Sequence, residues 1–221
     1  MVIDPGHGGP PYWGASARGA DGTLYIEKDL ALEVSLKLRD LLVADGHNVV
    51  MTRDGDYTLT PFDASAYRPS MIADLQARVD VANEMQADLL VSVHFNSWTD
   101  SSLSGTQSYC NPDRPYGDLS CQAARFVAQE LMVAIRRHGN LISGLGDRND
   151  ADVGGDPSNP HSYLLGTNES FNPSLMPGVI TEVLFLSSPS DLKLFTKPGA
   201  TDAIAEGFAE GIGDYFAWLG Q

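Results

Sequence analysis

Four side chains of this sequence have the chemistry of a hydrolytic metal site: His7, Glu27, His94 and Glu182. Two neutral imidazoles and one carboxylate suit Zn²⁺ and leave a coordination position for water. Zinc alone cleaves amides poorly, because the water must lose a proton and the leaving amine must gain one. A second carboxylate near the metal can do both. Glu182 is the candidate for that role, since a charge inside the apolar run 179–186 is costly without a partner.

Each of these residues also has an ordinary structural explanation. A single histidine at the end of a strand usually makes a structural hydrogen bond, and Glu27 is well placed near the positive end of a helix dipole. Glu182 could form a buried salt bridge. The two histidines together favour the metal interpretation, because both follow predicted strands and His7 is flanked by glycines that let a ligand approach the backbone.

Strand and helix patterns alternate along the chain. Apolar runs predict a strand that begins at Val2 and further strands over 48–52, 89–93, 105–110 and 179–186, with a strand-like segment at 162–165. Three- and four-residue apolar spacing predicts helices over 26–44, 71–85, 119–138 and 203–219. This alternation predicts an α/β fold, a three-layer α/β/α sandwich around a twisted, mostly parallel sheet of about six strands. Because ligands bind at the carboxyl ends of parallel strands, His7 and His94 should meet at one edge.

Three stretches are expected to be irregular. Residues 10–23 indicate a surface loop, and residues 57–70 a loop that could border a substrate groove. Residues 139–177 are rich in Gly, Asn, Ser, Asp and Pro, and such a long irregular stretch is usually functional or mobile. We expect residues 1–221 to form a single domain.

Composition excludes several classes of partner. The chain has 29 acidic and 14 basic residues, for a formal charge of -15, which argues against nucleic acid and anionic membranes. No run of about 18 apolar residues is present, so no membrane insertion is expected. No signal peptide is visible, and since Met1 adjoins the first strand we expect a domain trimmed from a longer precursor.

The two cysteines, Cys110 and Cys121, are too far apart for a CxxC zinc or redox motif. They could form a small disulfide in an oxidising compartment, or remain as two free thiols.

The order of motifs resembles that of the amidase-3 family, the zinc-dependent N-acetylmuramoyl-L-alanine amidases of the cell wall. The matching segments are Val2 to Gly9, the helix start at Glu27, Thr52-Arg53, residues 75–83 with Arg78 and Asn83, residues 87–97 and residues 177–187. They occur in family order over nearly the whole chain, and together they are highly specific.

The resemblance implies that His7, Glu27 and His94 bind one Zn²⁺ and that Glu182 is the catalytic glutamate. It implies hydrolysis of the amide between the lactyl group of N-acetylmuramic acid and the L-alanine of the stem peptide. Peptidoglycan or muropeptides would be the partner. The protein is expected to be a monomer that acts in the extracellular or periplasmic cell envelope.

Four further residues are candidates for supporting roles. Asp4 and Asn96 are placed to orient the metal ligands. Arg148 occupies roughly the place of a family arginine near the cleft, and His161 lies in the irregular stretch that could line the cleft.

Two other functions compete with the amidase hypothesis. One is another zinc peptidase, such as a carboxypeptidase acting on stem peptides, and identifying the bond that breaks would separate the two. The other is a non-catalytic wall-binding module, which the presence of all four chemical residues disfavours.

Overall fold

The structure is a computed structural model that describes residues 1–140, 146–153, 160–166 and 171–220. The central sheet contains β1 (Val2–Pro5), β4 (Val50–Met51), β5 (Leu90–Asn96), β6 (Gln107–Cys110), β7 (Gly146–Asn149) and β8 (Gly178–Phe185). A separate antiparallel pair contains β2 (Ser16–Arg18) and β3 (Leu24–Ile26). The helices are α1 (Glu27–Ala44), α2 (Tyr67–Glu84), α3 (Gly117–Arg137), α4 (Pro189–Leu192) and α5 (Ala200–Leu219).

The six strands of the central sheet lie in the order β4-β1-β5-β8-β6-β7. All neighbouring pairs are parallel except β6 and β8, so β6 and β7 run opposite to the other four strands. This arrangement confirms the prediction of a mostly parallel six-stranded sheet between layers of helices.

The two faces of the sheet follow the two-residue period of the strands. Ile3 and Val91 belong to the main core, which also contains the apolar faces of α1, α3 and α5. Val2 and Leu90 instead pack with Ala82 of α2 on the other face. Positions two residues further along these strands therefore face the α2 layer, and these are the positions of the polar residues of β1 and β5.

The predicted helices are confirmed, although α2 begins at Tyr67 and not near residue 71. Pro69 made this region look like a loop, but a proline in the first turn of a helix has no intrahelical N–H bond to lose. The predicted irregular stretches 10–23 and 139–177 also contain strands, β2 and β7.

The prediction of a strand at 162–165 is wrong. The backbone turns there, because the N–H groups of Leu165 and Gly166 both donate to the carbonyl of Ser162. Leu164 and Leu165 are apolar because they pack with Val79 of α2, not because they pair in a sheet.

Cys110 and Cys121 form a disulfide that joins the end of β6 to α3. Among the described residues, no helix has the length and apolar character needed to cross a bilayer.

Candidate metal centre

Three potential ligand atoms converge at the carboxyl edge of the sheet. His7 Nε2 lies 3.0 Å from Oε1 of Glu27, and His94 Nδ1 lies 2.9 Å from the same oxygen. The two imidazole rings are edge to face, with centroids 5.0 Å apart. The structure thus brings together the three predicted ligands, with ligand atoms all within 4.8 Å of one another.

Glu27 is the first residue of α1, and the backbone fixes both of its oxygens. Oε2 accepts a hydrogen bond from the N–H of Ala15 at 2.7 Å, and Oε1 accepts one from the N–H of Phe95 at 3.2 Å. Gly14 packs so closely on this carboxylate that a Cβ there would collide with it, and its φ of +70° also favours glycine. The carboxylate therefore points towards the histidines in one orientation.

The backbone around residues 6 and 7 fixes the positions of both histidines. His7 has a φ of 59°, a conformation that few residues other than glycine adopt. Gly6 lies against the ring of His94, and a Cβ at position 6 would overlap that ring. A glycine before the first histidine is thus required by the position of the second one.

Two buried arginines hold the segment that carries His7. Arg78 donates to the carbonyl oxygens of Pro5 and His7, at 2.7 and 2.6 Å. Arg53 donates to the carbonyl oxygens of Pro5 and Gly6, at 3.0 and 2.8 Å. Each guanidinium is 1% exposed, and such charged hydrogen bonds to otherwise unpaired carbonyls fix the loop firmly.

Asp4 balances the charge of this network. Its carboxylate accepts from Arg78 at 2.7 Å, from Thr52 at 2.6 Å and from Ser92 at 2.6 Å. Burial raises the pKa of Asp4, but Arg78 and the two hydroxyl groups outweigh that effect and lower it below the ordinary value. Asp4 therefore supports His7 indirectly, through Arg78.

The electrostatics of the three clustered residues are coupled. Burial lowers the pKa of His7. Burial also tends to lower the pKa of His94, but the hydrogen bond and charge of Glu27 outweigh it and raise the value. Burial tends to raise the pKa of Glu27, whereas the two histidines lower it strongly. The carboxylate is consequently ionised, as a metal ligand must be.

These residues fit a zinc ion by the chemistry of the donor set. Two imidazole nitrogens and one carboxylate oxygen lie close together, and Nδ1 of His7 is buried without a hydrogen-bond partner among the described residues. Two nitrogens and one oxygen leave a fourth position open, as in catalytic zinc sites. The described part of the chain contains no second such cluster.

Glu182 lies on β8 directly beside His94 of β5 in the register of the sheet. Its Oε2 atom is buried and has no hydrogen-bond partner among the described residues, and none of their ion pairs includes it. Burial raises its pKa to about 8, with the charge of His94 opposing and that of Glu27 adding to the effect. The salt-bridge alternative for Glu182 therefore has no cationic partner in the described structure.

Asn96 and Arg148 both line a cavity of about 150 Å³. Asn96 donates to Oε1 of Gln107 at 2.9 Å, and Gln107 pairs with Glu182 across β6 and β8. Arg148 lies 3.6 Å from Asp152. In the described structure neither residue has a contact with the His7 cluster, and their proposed roles stay predictions.

His161 lies apart from the cluster in its described contacts. Its Nδ1 is 2.7 Å from Asp150, and its Nε2 is 3.5 Å from the exposed Asp113. The buried carboxylate of Asp150 also accepts from the N–H of Ser162 at 2.9 Å. These contacts give His161 a clear part in holding the 160–166 segment, and contact with substrate stays a prediction.

No role for the buried Arg53 and Arg78 was predicted from the sequence, although both lie in segments that match the family. A signal was present for Arg78, which shares a helix face with Leu75, Val79 and Ala82. A charged residue within an apolar stripe indicates a buried partner. The glycine requirement at Gly6 had no comparable signal, because it depends on a ring that is distant in sequence.

A buried carboxylate with its pKa raised to about 8, whose Oε2 has no hydrogen-bond partner among the described residues, lies next to three clustered ligands. This is the arrangement of a metal-assisted hydrolase. The chain belongs to the Amidase_3 family, described as N-acetylmuramoyl-L-alanine amidase, whose sequence profile matches residues 1–214. It is an amidase of peptidoglycan, and the family is generally zinc-dependent. This confirms the amidase prediction over the two competing functions.

Relatives and solved structures agree with this assignment. The chain is 32% identical to the germination-specific N-acetylmuramoyl-L-alanine amidase of Bacillus subtilis, over 100% of this chain and 81% of that protein. It is 28% identical to an endolysin of Bacillus phage SPP1, over 96% of this chain and 64% of that protein.

Among solved structures, the CwlD amidase of Clostridioides difficile, in complex with the GerS lipoprotein, is similar with a TM-score of 0.74. It is 26% identical, with 98% of each chain covered. The catalytic domain of the CwlV amidase of Bacillus (Paenibacillus) polymyxa has a TM-score of 0.65 and 25% identity, with 98% of this chain and 97% of that chain covered.

Proposed function

We propose that His7, Glu27 and His94 bind one zinc ion and that Glu182 moves the protons of amide hydrolysis. The donor set and the convergence of its three ligand atoms support the zinc assignment. When bound, zinc supplies the Lewis acidity that polarises a carbonyl and activates water. The remaining chemistry is assigned to the residues of this chain.

Glu182 carries the proposal because it combines position with protonation chemistry. As a carboxylate it would accept the proton of the attacking water, and it would then donate that proton to the alanine nitrogen as the amide bond breaks. A pKa near the working pH favours both steps, and that of Glu182 is about 8. Its buried Oε2 has no hydrogen-bond partner in the described part of the chain, which leaves it available to substrate or water.

The substrate bond we assign is the amide between the lactyl group of N-acetylmuramic acid and L-alanine. Asp4 would act as a positioning residue through Arg78 and the carbonyl of His7. Asn96 and Arg148 would border the substrate beyond Glu182. His161 is the weakest of the four supporting candidates, since its contacts are with Asp150 and Asp113.

We also propose that residues 1–221 work as one catalytic domain and as a monomer in the cell envelope. The Cys110–Cys121 disulfide supports an oxidising compartment outside the cytoplasm, where peptidoglycan lies. The large negative charge is consistent with a partner other than nucleic acid.

The test is zinc content and muropeptide hydrolysis measured on the same sample, before and after chelation, with products identified by mass. We expect free stem peptides that begin with L-alanine, loss of cleavage on chelation, and recovery with added zinc. His94→Ala should lose both zinc and activity, while His47→Ala, at a histidine that packs on Phe216, should keep both. Cleavage within the stem peptide, or full activity without metal, would contradict the proposal.

A further inference from the structure

Three aromatic rings pack together on the His7 side of the metal centre. Tyr12 lies edge-on against His7, with ring centroids 4.7 Å apart, and stacks on Phe62 at 5.2 Å. Tyr67, the first residue of α2, lies edge-on to Phe62 at 5.2 Å and to Tyr12 at 6.1 Å. We call Tyr12, Phe62 and Tyr67 the aromatic wall.

The outer ring of this wall is presented to solvent. Tyr12 is only 4% exposed, whereas Tyr67 is 45% exposed. Burial and then the charge of Glu27 raise the pKa of Tyr67, which places its hydroxyl within electrostatic range of the metal ligands. Core packing accounts for Tyr12, whereas Tyr67 keeps nearly half of its surface free to contact a ligand.

The loop that carries Phe62 and leads into α2 is held by hydrogen bonds to that helix. The N–H of Leu59 donates to Asp74 of α2 at 2.6 Å, and the N–H of Asp63 donates to Ser70 at 3.0 Å. Asp74 also pairs with Arg78 at 2.7 Å, which links the loop to the support of His7. A ring held in this way would bind a ligand with little further loss of conformational entropy.

The strand order places the peptide and the lactyl group of the substrate on opposite sides of the metal centre. Along the carboxyl edge, His7 follows β1, His94 lies on β5 and Glu182 lies on β8, and the aromatic wall contacts His7 through Tyr12. The amide nitrogen must face Glu182 to receive its proton, so the peptide leaves on the β8 and β6 side. The lactyl carbon, on the other side of the planar amide, then points towards β1 and the aromatic wall.

We propose that Tyr67, backed by Phe62 and Tyr12, forms a subsite for the pyranose ring that bears the lactyl group. The apolar C–H face of a sugar ring would stack on the exposed face of the tyrosine, with Tyr12 and Phe62 holding that ring at a fixed height above the metal centre. This inference rests on the proposed role of Glu182, because that role sets the direction of the substrate.

The test compares two substrates that differ only in the sugar: an N-acetylmuramoyl-L-alanyl peptide and the same peptide carrying only the D-lactoyl group. Both contain the scissile amide, so the ratio of their kcat/KM values measures the contribution of the sugar. Tyr67→Ala should lower this ratio about fivefold to tenfold, mainly through KM for the sugar substrate, and leave the lactoyl substrate unchanged. Tyr67→Phe keeps the ring and should retain the ratio.

The matched control is Tyr57→Ala. Tyr57 is a loop tyrosine with 44% exposure, and its hydroxyl donates to Asp54 at 2.8 Å. It should keep the wild-type ratio, and equal thermal melts would show that all variants fold. An unchanged ratio in Tyr67→Ala, an equal loss on both substrates, or a loss in Tyr67→Phe as large as in Tyr67→Ala would overturn the subsite. Wild-type protein that cleaves neither substrate would instead overturn the proposed function.

Discussion

Asp4 and Glu182 are carboxylates on the same face of one sheet, and they differ in what surrounds them. Asp4 accepts hydrogen bonds from Arg78, Thr52 and Ser92, and its pKa is lowered. Glu182 has a buried oxygen that no described residue hydrogen-bonds, and its pKa is raised to about 8. A buried acid whose bonds are complete stabilises the fold, whereas an acid left incomplete beside a metal cluster is available for chemistry.

The two carboxylates differ in pKa and hydrogen bonding because their surroundings differ, not because of their residue type. Both acids interrupt apolar strands, so the sequence alone marks both as unusual. The neighbours that complete the hydrogen bonds of Asp4, from α2, the loop after β4 and β5, distinguish them. Four predictions test whether the two acids separate stability from catalysis in this way.

The largest effect is expected for Glu182→Gln. The amide keeps the shape of the side chain but cannot accept the proton of the attacking water, so kcat should fall by about 10³-fold or more. Zinc content and thermal stability should remain at or above the wild-type values. Turnover near the wild-type rate, measured by release of stem peptide, would remove Glu182 from the chemistry.

Asp4→Asn should lower the free energy of unfolding. It leaves Arg78 buried with one charged partner fewer, and breaking such a pair costs about 3 kcal/mol of unfolding free energy. Denaturant unfolding at neutral pH measures this loss. At a temperature where the variant is folded, zinc should still bind. A stable variant with a large loss of kcat would show that Asp4 takes part in the chemistry.

The pH dependence of stability should differ between metal-free wild type and metal-free Glu182→Gln. In the unfolded chain the carboxyl ionises near 4.5, whereas in the folded protein it keeps its proton up to about pH 8. Between these values the folded state binds more protons, so the stability from Glu182 falls as pH rises. Wild type should lose about 2 to 4 kcal/mol relative to the variant between pH 5 and 8. Parallel stability curves would contradict the raised pKa.

Ser92→Ala is expected to have the smallest effect. It removes one of the three donors to Asp4 and leaves the salt bridge with Arg78, which should cost about 1 kcal/mol of stability. Activity and zinc affinity should not change. A tenfold weaker zinc affinity in a competition titration would mean that the network tunes the metal ligands more directly than its contacts indicate.

Much of the fold and the four central residues could be predicted from the sequence. Each histidine follows an apolar run, and Glu182 interrupts another, so local pattern and side-chain chemistry pointed to the same edge. The disulfide remained one of two alternatives, because pairing depends on the distance between β6 and α3 in the folded chain.

The remaining features depend on distant contacts. The strand β7 lies within a polar segment and exists because β6 offers it an edge, and Leu164 and Leu165 looked like a strand because α2 needs apolar partners. The direction of β6 against β8 could not be deduced from a polar four-residue run. The aromatic wall could not be predicted from the sequence for a similar reason, since Phe62 and Tyr67 meet Tyr12 only in the folded chain.

If Glu182 protonates the leaving nitrogen, as proposed, the order of strands in the sheet also fixes the direction in which the substrate lies. His7 follows β1, His94 lies on β5 and Glu182 lies on β8. Neighbouring strands are about 4.8 Å apart, so these three groups form a fixed series along one edge. A polymer laid across this edge in reverse would present its nitrogen to His7 and its sugar to Glu182. The strand order would therefore set the direction in which the substrate binds, and no single side-chain replacement could reverse that order.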